Sequence, residues 1–398
     1  MSVTKITRQC ATYGRRAAMV ATIVSLASGA HAHARHDIPP FYTAAPQAIS
    51  GLPGTLIRRE TWTGKTPPHT HAWRILYRST GLHGEPIAVS AVVAAPDGPA
   101  AAGGRPVVAW QHPTTGVVQA CAPSLTPDAL HTIMGLAAML RRGYVVVATD
   151  YPGLGTPGPH PYLVVRSEGR AVLDAVRAAS HIPEAHAGTR FATWGHSQGG
   201  HASLSAGLLA RDYAPELHLV GVAAAAPATD LTSLIVGDPR DAGAAQLTAM
   251  VMTARNRVFG APLDPLVPPA DQPHVVQLAS QCFAPLLDGK TQPPDKPVPP
   301  VTYRMLALPG DTQPWRGIEA GNSTGPVPAD VPVYLAQGGA DTTIPPAVTE
   351  RYVRRLCDAG ASVRYAMFTG VSHHFIGRDA VAWIAGRFAG QTPPNDCR

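Results

Sequence analysis

Hydrophobic residues along the 398-residue chain form short continuous runs that alternate with amphipathic stretches. The runs at residues 106–110, 144–148 and 220–227 are apolar throughout, which is typical of buried strands in a parallel sheet. The stretches between them carry apolar residues at helical spacing, as in the helices predicted at residues 128–142 and 168–179. Because strands and helices alternate, the pattern predicts an α/β fold with a mostly parallel sheet flanked by helices.

The alternation is interrupted once. Between residues 229 and 326 no βα unit is evident, and the rhythm resumes with a strand predicted at residues 331–336. A segment of this length is too long for a loop in a compact domain. We therefore expect an inserted cap, or lid, at residues 229–326 that divides one core into residues 33–228 and 327–398.

The first 32 residues have the composition of a secretory signal peptide. Four basic residues precede an apolar stretch at residues 17–28 that is too short to cross a membrane, and Ala30-His31-Ala32 provides small residues for cleavage. We therefore expect an exported mature chain, periplasmic or extracellular. No other stretch is long enough to predict a transmembrane helix.

The formal net charge of +6 falls to 6 − 4 = +2 once the four basic residues of the predicted leader are removed. Charged residues make up only 15% of the chain, and no basic run lies outside the leader. The composition therefore gives no reason to expect nucleic-acid binding.

Removal of the leader also removes Cys10 and leaves four cysteines, at Cys121, Cys282, Cys357 and Cys397. An even number in an exported chain predicts two disulfides, with three possible pairings. Free buried thiols are the alternative. A zinc site is not expected, because none of these cysteines has close metal-ligand spacing.

The strongest chemical motif lies where a predicted strand meets a predicted helix. The segment Gly195-His196-Ser197-Gln198-Gly199 fits the Gly-x-Ser-x-Gly nucleophile elbow. Its two glycines allow neighbouring backbone to pass close to the Ser197 side chain. Gln198 opens the predicted helix, where unpaired backbone N–H groups favour negative charge. We therefore expect Ser197 to be a nucleophile and the Gln198 amide to be an oxyanion donor.

A serine nucleophile needs a general base, and the base needs an acid that orients it. Asp341 comes shortly after the predicted strand 331–336, and His373 and His374 follow the last predicted strand. The chain order serine, acid, histidine is that of α/β-hydrolases. We predict that Asp341 and His373 complete a triad, with His374 as the alternative base. Asp341 is otherwise a turn residue or a helix cap.

A second oxyanion donor is expected from the loop after the strand 106–110. Pro113 has no N–H and is excluded, which leaves His112 and Thr114. We choose Thr114, whose hydroxyl is a further possible donor.

Several blocks of the sequence resemble the secretory lipase family of α/β-hydrolases. They are the elbow with Gly200, Cys121-Ala122-Pro123-Ser124, Asp150-Tyr151-Pro152-Gly153-Leu154-Gly155 with His160-Pro161-Tyr162-Leu163, and Gly339-Ala340-Asp341-Thr342 with Ile344-Pro345-Pro346. The resemblance implies a secreted lipase or carboxylesterase with a cap before the acid residue. It also implies the disulfides Cys121–Cys282 and Cys357–Cys397. Relatives commonly have His-Gly-Thr-Thr-Gly where this chain has His112-Pro113-Thr114-Thr115-Gly116, a departure that bears on the second oxyanion donor.

These observations predict a secreted serine hydrolase that cleaves carboxylic esters through an acyl-enzyme, without a metal or organic cofactor. The expected substrates are acylglycerols or other small-molecule or lipid esters, met in part at a lipid–water interface. We expect a monomer or weak homodimer. Cap residues are expected either to form an apolar acyl pocket or to pack a core: Met250, Met252, Val258, Leu263 and Leu266. The alternatives are a serine peptidase on the same fold and a secreted binding module with a relict triad.

Overall fold

A computed structural model describes residues 38–234, 242–283, 302–373, 377 and 379–397. The predicted signal peptide and His374 lie outside these residues, so both remain predictions.

The described residues form one nine-stranded sheet. Its strands are β1 (Leu56–Thr61), β2 (Thr70–Thr80), β3 (Pro86–Pro96), β4 (Arg105–Gln111), β5 (Val145–Thr149), β6 (Ala187–His196), β7 (His218–Ala225), β8 (Val333–Gly338) and β9 (Val363–Phe368). Their order is β1-β2-β3-β5-β4-β6-β7-β8-β9. The pairs from β1 through β3 to β5 are antiparallel, and all the remaining pairs are parallel. The predicted fold class is therefore confirmed.

Helices cover both faces of the sheet. They are α1 (Pro46–Ile49), α2 (Leu136–Arg141), α3 (Val165–Ser180), α4 (Gln198–Tyr213), α5 (Leu231–Leu234), α6 (Ala242–Phe259), α7 (Gln272–Ala279), α8 (Trp315–Asn322), α9 (Pro346–Asp358) and α10 (Ala380–Phe388). Neighbouring strand residues face opposite sides: Val147 packs with α3 and α4, whereas Val146 packs with α2 and α10. None of the helices in the described residues is long and apolar enough to cross a membrane.

The helix predicted at residues 128–142 is wrong as one continuous element. The structure has a short 3₁₀ turn at Ala129–Thr132, and α2 begins only at Leu136. Gly135, between them, has a φ of 81°. Glycine adopts this left-handed conformation easily, whereas a right-handed helix cannot continue through it.

The described part of the predicted cap is helical, with α5 to α8 and no strand. Met250, Met252, Leu263 and Leu266 are buried in the same hydrophobic cluster as side chains from one face of the sheet. Their packing is that of core residues. The boundaries of the cap and an acyl pocket within it remain predictions.

Two disulfides link distant parts of the chain. Cys121 is bonded to Cys282, and Cys357 is bonded to Cys397. These are the pairs that the family resemblance implies. The first bond ties the segment after β4 to the end of the α7 region, and the second holds the C-terminal segment against α9.

Candidate active site

Ser197 is the single residue between β6 and α4. Its backbone has φ 58° and ψ −117°, a conformation that side-chain-bearing residues rarely adopt. Two glycines make the turn possible. A Cβ on Gly195 would lie 2.1 Å from the carbonyl oxygen of Gly199, and a Cβ on Gly199 would lie 1.9 Å from that of Gln111. No larger residue fits at either position, so the Gly-x-Ser-x-Gly spacing is required by close packing.

Asp341 and His373 form a hydrogen-bonded pair beyond the ends of β8 and β9. His373 Nδ1 lies 2.8 Å from Asp341 Oδ2. The buried Asp341 carboxylate also accepts the backbone N–H groups of Thr343 and Ile344, at 2.9 and 2.8 Å, and the Gln337 side-chain amide at 3.1 Å. These donors fix the carboxylate in an orientation from which it holds the imidazole.

The His373 end of this pair lies beside the elbow. His196 Nε2 donates to the His373 carbonyl oxygen over 2.7 Å, and the two imidazole centroids are 4.7 Å apart. Because His196 immediately precedes Ser197, the structure brings the three predicted triad residues to one edge of the sheet.

The loop after β4 packs on the first turn of α4. A Cβ on Gly199 would lie 2.9 Å from the His112 carbonyl oxygen as well. The His112 side chain points into the protein, with Nδ1 2.6 Å from the Pro113 carbonyl oxygen, and burial lowers its pKa to about 4. Thr114 is partly exposed, and its hydroxyl lies 2.7 Å from the Tyr162 hydroxyl. Thr114 thus remains the candidate donor in this loop.

A second acid–histidine pair, which the sequence analysis did not identify, lies behind the elbow. Glu168 Oε2 and His201 Nδ1 are 2.6 Å apart, and both side chains are completely buried. Glu168 also accepts from the Gln198 side-chain amide at 2.8 Å and from the Leu163 N–H at 3.0 Å. The available sequence signal was the spacing of Gln198 and His201, which places both on one face of the first turn of α4.

Within the described part of the chain, no three His, Cys, Asp or Glu side chains are grouped so as to hold a metal ion.

Comparison with known proteins shows similarity to lipases and esterases. A model of the secretory lipase family matches residues 123–288, which include the elbow. The chain is similar to the secretory lipase family over these residues. It is 28% identical over 207 residues to a probable inactive lipase of Mycobacterium tuberculosis, covering 48% of this chain and 46% of that one. It is 27% identical over 199 residues to lipase A of Moesziomyces aphidis, covering 46% and 41%. The chain spans about half the length of the curated relatives it matches.

Solved structures of related fold extend over more of this chain. Candida antarctica lipase A in its closed state superposes with a TM-score of 0.71 at 22% identity, covering 90% of this chain and 87% of that one. The rice cell wall degrading esterase LipA from Xanthomonas oryzae gives a TM-score of 0.65 at 22% identity, covering 85% and 97%. At this identity the likeness establishes the α/β-hydrolase fold.

Proposed function

We propose that this chain is a serine ester hydrolase, a lipase or carboxylesterase, with Ser197 as nucleophile, His373 as general base and Asp341 as the acid that orients His373. The observation that carries the proposal is the position of Ser197 on a strained turn beside a histidine held by a buried carboxylate. The family and the solved structures of like fold support ester hydrolysis.

In the first half-reaction, the Asp341 carboxylate accepts the Nδ1–H of His373, which leaves Nε2 to take the Ser197 proton. Ser197 Oγ then attacks the ester carbonyl carbon. The oxyanion that forms is stabilised by the backbone N–H groups of Gln198 and Thr114. Gln198 is suited to this role because it opens α4, where N–H groups have no acceptor within the helix.

The first half-reaction ends when the tetrahedral intermediate collapses to an acyl-enzyme and His373 gives its proton to the departing alcohol; hydrolysis of the acyl-enzyme is the second half-reaction. A water molecule then attacks the acyl carbonyl while His373 accepts one of its protons. Collapse of the second intermediate releases the carboxylic acid and returns the proton to Ser197.

Export of the chain is part of the same proposal. Disulfides persist in oxidising compartments, and two of them join cysteines within the described residues. The lipase family is a secretory one. We therefore place the active enzyme in the periplasm or outside the cell.

The proposal is tested with p-nitrophenyl acetate, butyrate, octanoate and palmitate. We expect the purified chain to hydrolyse at least one of them, with a butyrate maximum for an esterase and a maximum at octanoate or longer for a lipase. In Ser197→Ala we expect the rate to fall to background, by at least about 10⁴-fold, because the nucleophile is lost.

Ser205→Ala is the matched control. It removes a serine hydroxyl that is buried within α4 and donates to the His201 carbonyl oxygen over 2.7 Å, and it should keep its activity. Retained activity in Ser197→Ala, or faster cleavage of the matching anilide than of the ester, contradicts the proposed ester hydrolase.

A further inference from the structure

The block His160-Pro161-Tyr162-Leu163 is a sequence feature that the proposed reaction does not use directly. In the structure, two of its side chains each contact one of the proposed oxyanion residues. The Tyr162 hydroxyl lies 2.7 Å from Thr114 Oγ1, and His160 Nε2 lies 3.1 Å from Gln198 Nε2. One short segment therefore touches both sides of the proposed oxyanion hole.

The hydrogen-bond directions on the Gln198 side are determined by chemistry. His160 Nδ1 lies 2.7 Å from the Pro152 carbonyl oxygen, which only accepts, so Nδ1 carries the hydrogen and Nε2 accepts from Gln198. Burial lowers the pKa of His160 to about 4, which keeps the ring neutral. Glu168 accepts from the same Gln198 nitrogen at 2.8 Å. The Gln198 side chain is thus held by two buried acceptors.

On the Thr114 side, the phenol is the partner of a partly exposed loop residue. Tyr162 itself is buried, and burial raises the pKa of its hydroxyl well above the usual value, so the group stays protonated. A neutral hydroxyl pair of this kind fixes the Thr114 side chain and, through it, the backbone of the loop.

The segment is in turn anchored by a buried ion pair in the predicted cap. Arg255 on α6 donates to both carboxylate oxygens of Glu319 on α8, each at 2.9 Å. The same guanidinium donates to the carbonyl oxygens of Tyr162 and Leu163. Both charged side chains are almost completely buried, so their arrangement is restricted to this one network.

We infer that His160 and Tyr162 are positioning residues for the oxyanion hole: His160 fixes Gln198, Tyr162 fixes Thr114, and the Arg255–Glu319 pair anchors the segment between them. This inference rests on the proposed ester hydrolysis. An oxyanion hole lowers the barrier only when its donors are already oriented toward the developing charge. Loss of the Tyr162 hydroxyl therefore affects the transition state more than substrate binding.

The test is a double-mutant cycle with Tyr162→Phe and Thr114→Val. The first change removes only the phenolic hydroxyl, and the second removes the partner hydroxyl but keeps the backbone N–H. Using the nitrophenyl ester that the wild type turns over fastest, we expect each variant to lower kcat about tenfold with KM within about twofold. The double variant should be no slower than the slower single variant, because both changes break the same bond.

Tyr303→Phe is the matched control, because it removes another buried tyrosine hydroxyl, one that donates to the Ala245 carbonyl oxygen over 2.8 Å. It should leave kcat unchanged. If Tyr162→Phe does not fold, Thr114→Val still tests the bond from its partly exposed side.

Full kcat in either single variant, or multiplicative losses in the double variant, overturns the inference while Ser197-dependent hydrolysis stands. A wild-type chain that hydrolyses no ester, or a Ser197→Ala variant that does, overturns the proposed function itself. The two failures are therefore distinguishable.

Discussion

Among the residues that the structure describes, two buried carboxylate–histidine pairs have nearly the same geometry but very different surroundings. Asp341 and His373 are 2.8 Å apart, and Glu168 and His201 are 2.6 Å apart, with Nδ1 facing the carboxylate in both. The first pair follows the ends of two neighbouring parallel strands. The second joins two helices, α3 and α4, behind the elbow.

The two pairs differ in what surrounds the Nε2 side of the imidazole ring. His201 Nε2 lies 2.9 Å from the Asn322 carbonyl oxygen and is completely buried, so this nitrogen is a donor to the backbone. His373 is slightly exposed and lies against His196, one residue from Ser197. A buried acid beside a histidine is therefore no proof of a general base. The position of Nε2 relative to a nucleophile decides whether the pair serves catalysis or architecture.

The largest expected effect comes from breaking the first pair with Asp341→Asn. The amide keeps the shape of the side chain but favours the wrong tautomer of His373. We expect kcat for a p-nitrophenyl ester to fall about 10³–10⁴-fold. The melting temperature should change by only a few degrees. A variant that retains more than a tenth of wild-type kcat would remove Asp341 from the mechanism.

Breaking the second pair with His201→Ala should act on stability. It leaves the Glu168 carboxylate buried without its imidazole partner and removes the contact to Asn322. We expect the free energy of unfolding to fall by about 3–5 kcal/mol, measured by urea denaturation. The kcat of the folded fraction should fall less than tenfold. The opposite result, a stable chain without activity, would make Glu168–His201 the catalytic pair.

A smaller effect is expected from two buried histidines whose Nδ1 faces a backbone carbonyl oxygen instead of a carboxylate. Burial lowers the pKa of His112 and of His160 to about 4, so each stays neutral in the folded chain while the unfolded chain takes up protons below about pH 6.5. The free energy of unfolding is therefore highest above pH 6.5 and decreases as the pH falls toward 4. Between pH 7.5 and pH 5 we expect the free energy of unfolding to decrease by about 2 kcal/mol for each of the two histidines.

Asp150 opposes this trend. Burial raises its pKa to about 6, so the folded chain binds a proton more readily than the unfolded chain between about pH 4 and 6.

The prediction for the histidines is tested by urea unfolding at a series of pH values for the wild type and His112→Gln. Between pH 7.5 and pH 5, the free energy of unfolding should decrease by about 2 kcal/mol less in the variant than in the wild type. Parallel curves for the two proteins would show that His112 does not titrate on unfolding.

The sequence predicted the elements that depend on local pattern. Apolar runs such as residues 144–148 identify central strands, and the glycines on either side of Ser197 identify the turn. Both can be predicted because the structure of each segment depends on the residues of that segment. The positions of Asp341 and His373 follow from the same pattern, since the carboxyl ends of neighbouring parallel strands meet at one edge of a sheet.

What the sequence did not predict depends on packing between elements. The Glu168–His201 pair forms only because α3 and α4 lie side by side, and no local spacing relates residues that are 33 positions apart. The cysteine count by itself allowed three pairings, and only the family resemblance implied the two disulfides that the fold forms. Gly135 interrupts a helical pattern because the chain turns there in a left-handed conformation, whereas an isolated glycine in a sequence is also compatible with a helix.

Ser197, and no other serine of the chain, is proposed to be an activated nucleophile. The most direct measurement is covalent labelling with an alkyl phosphonate, followed by mass spectrometry of the peptides, for the wild type and for Ser197→Ala, Asp341→Asn and His201→Ala. We expect one label per chain on Ser197, none in Ser197→Ala, much slower labelling in Asp341→Asn and a near-normal rate for folded His201→Ala. A folded wild type that takes no label, or a label on a different serine, would contradict the proposed role of Ser197 as the nucleophile.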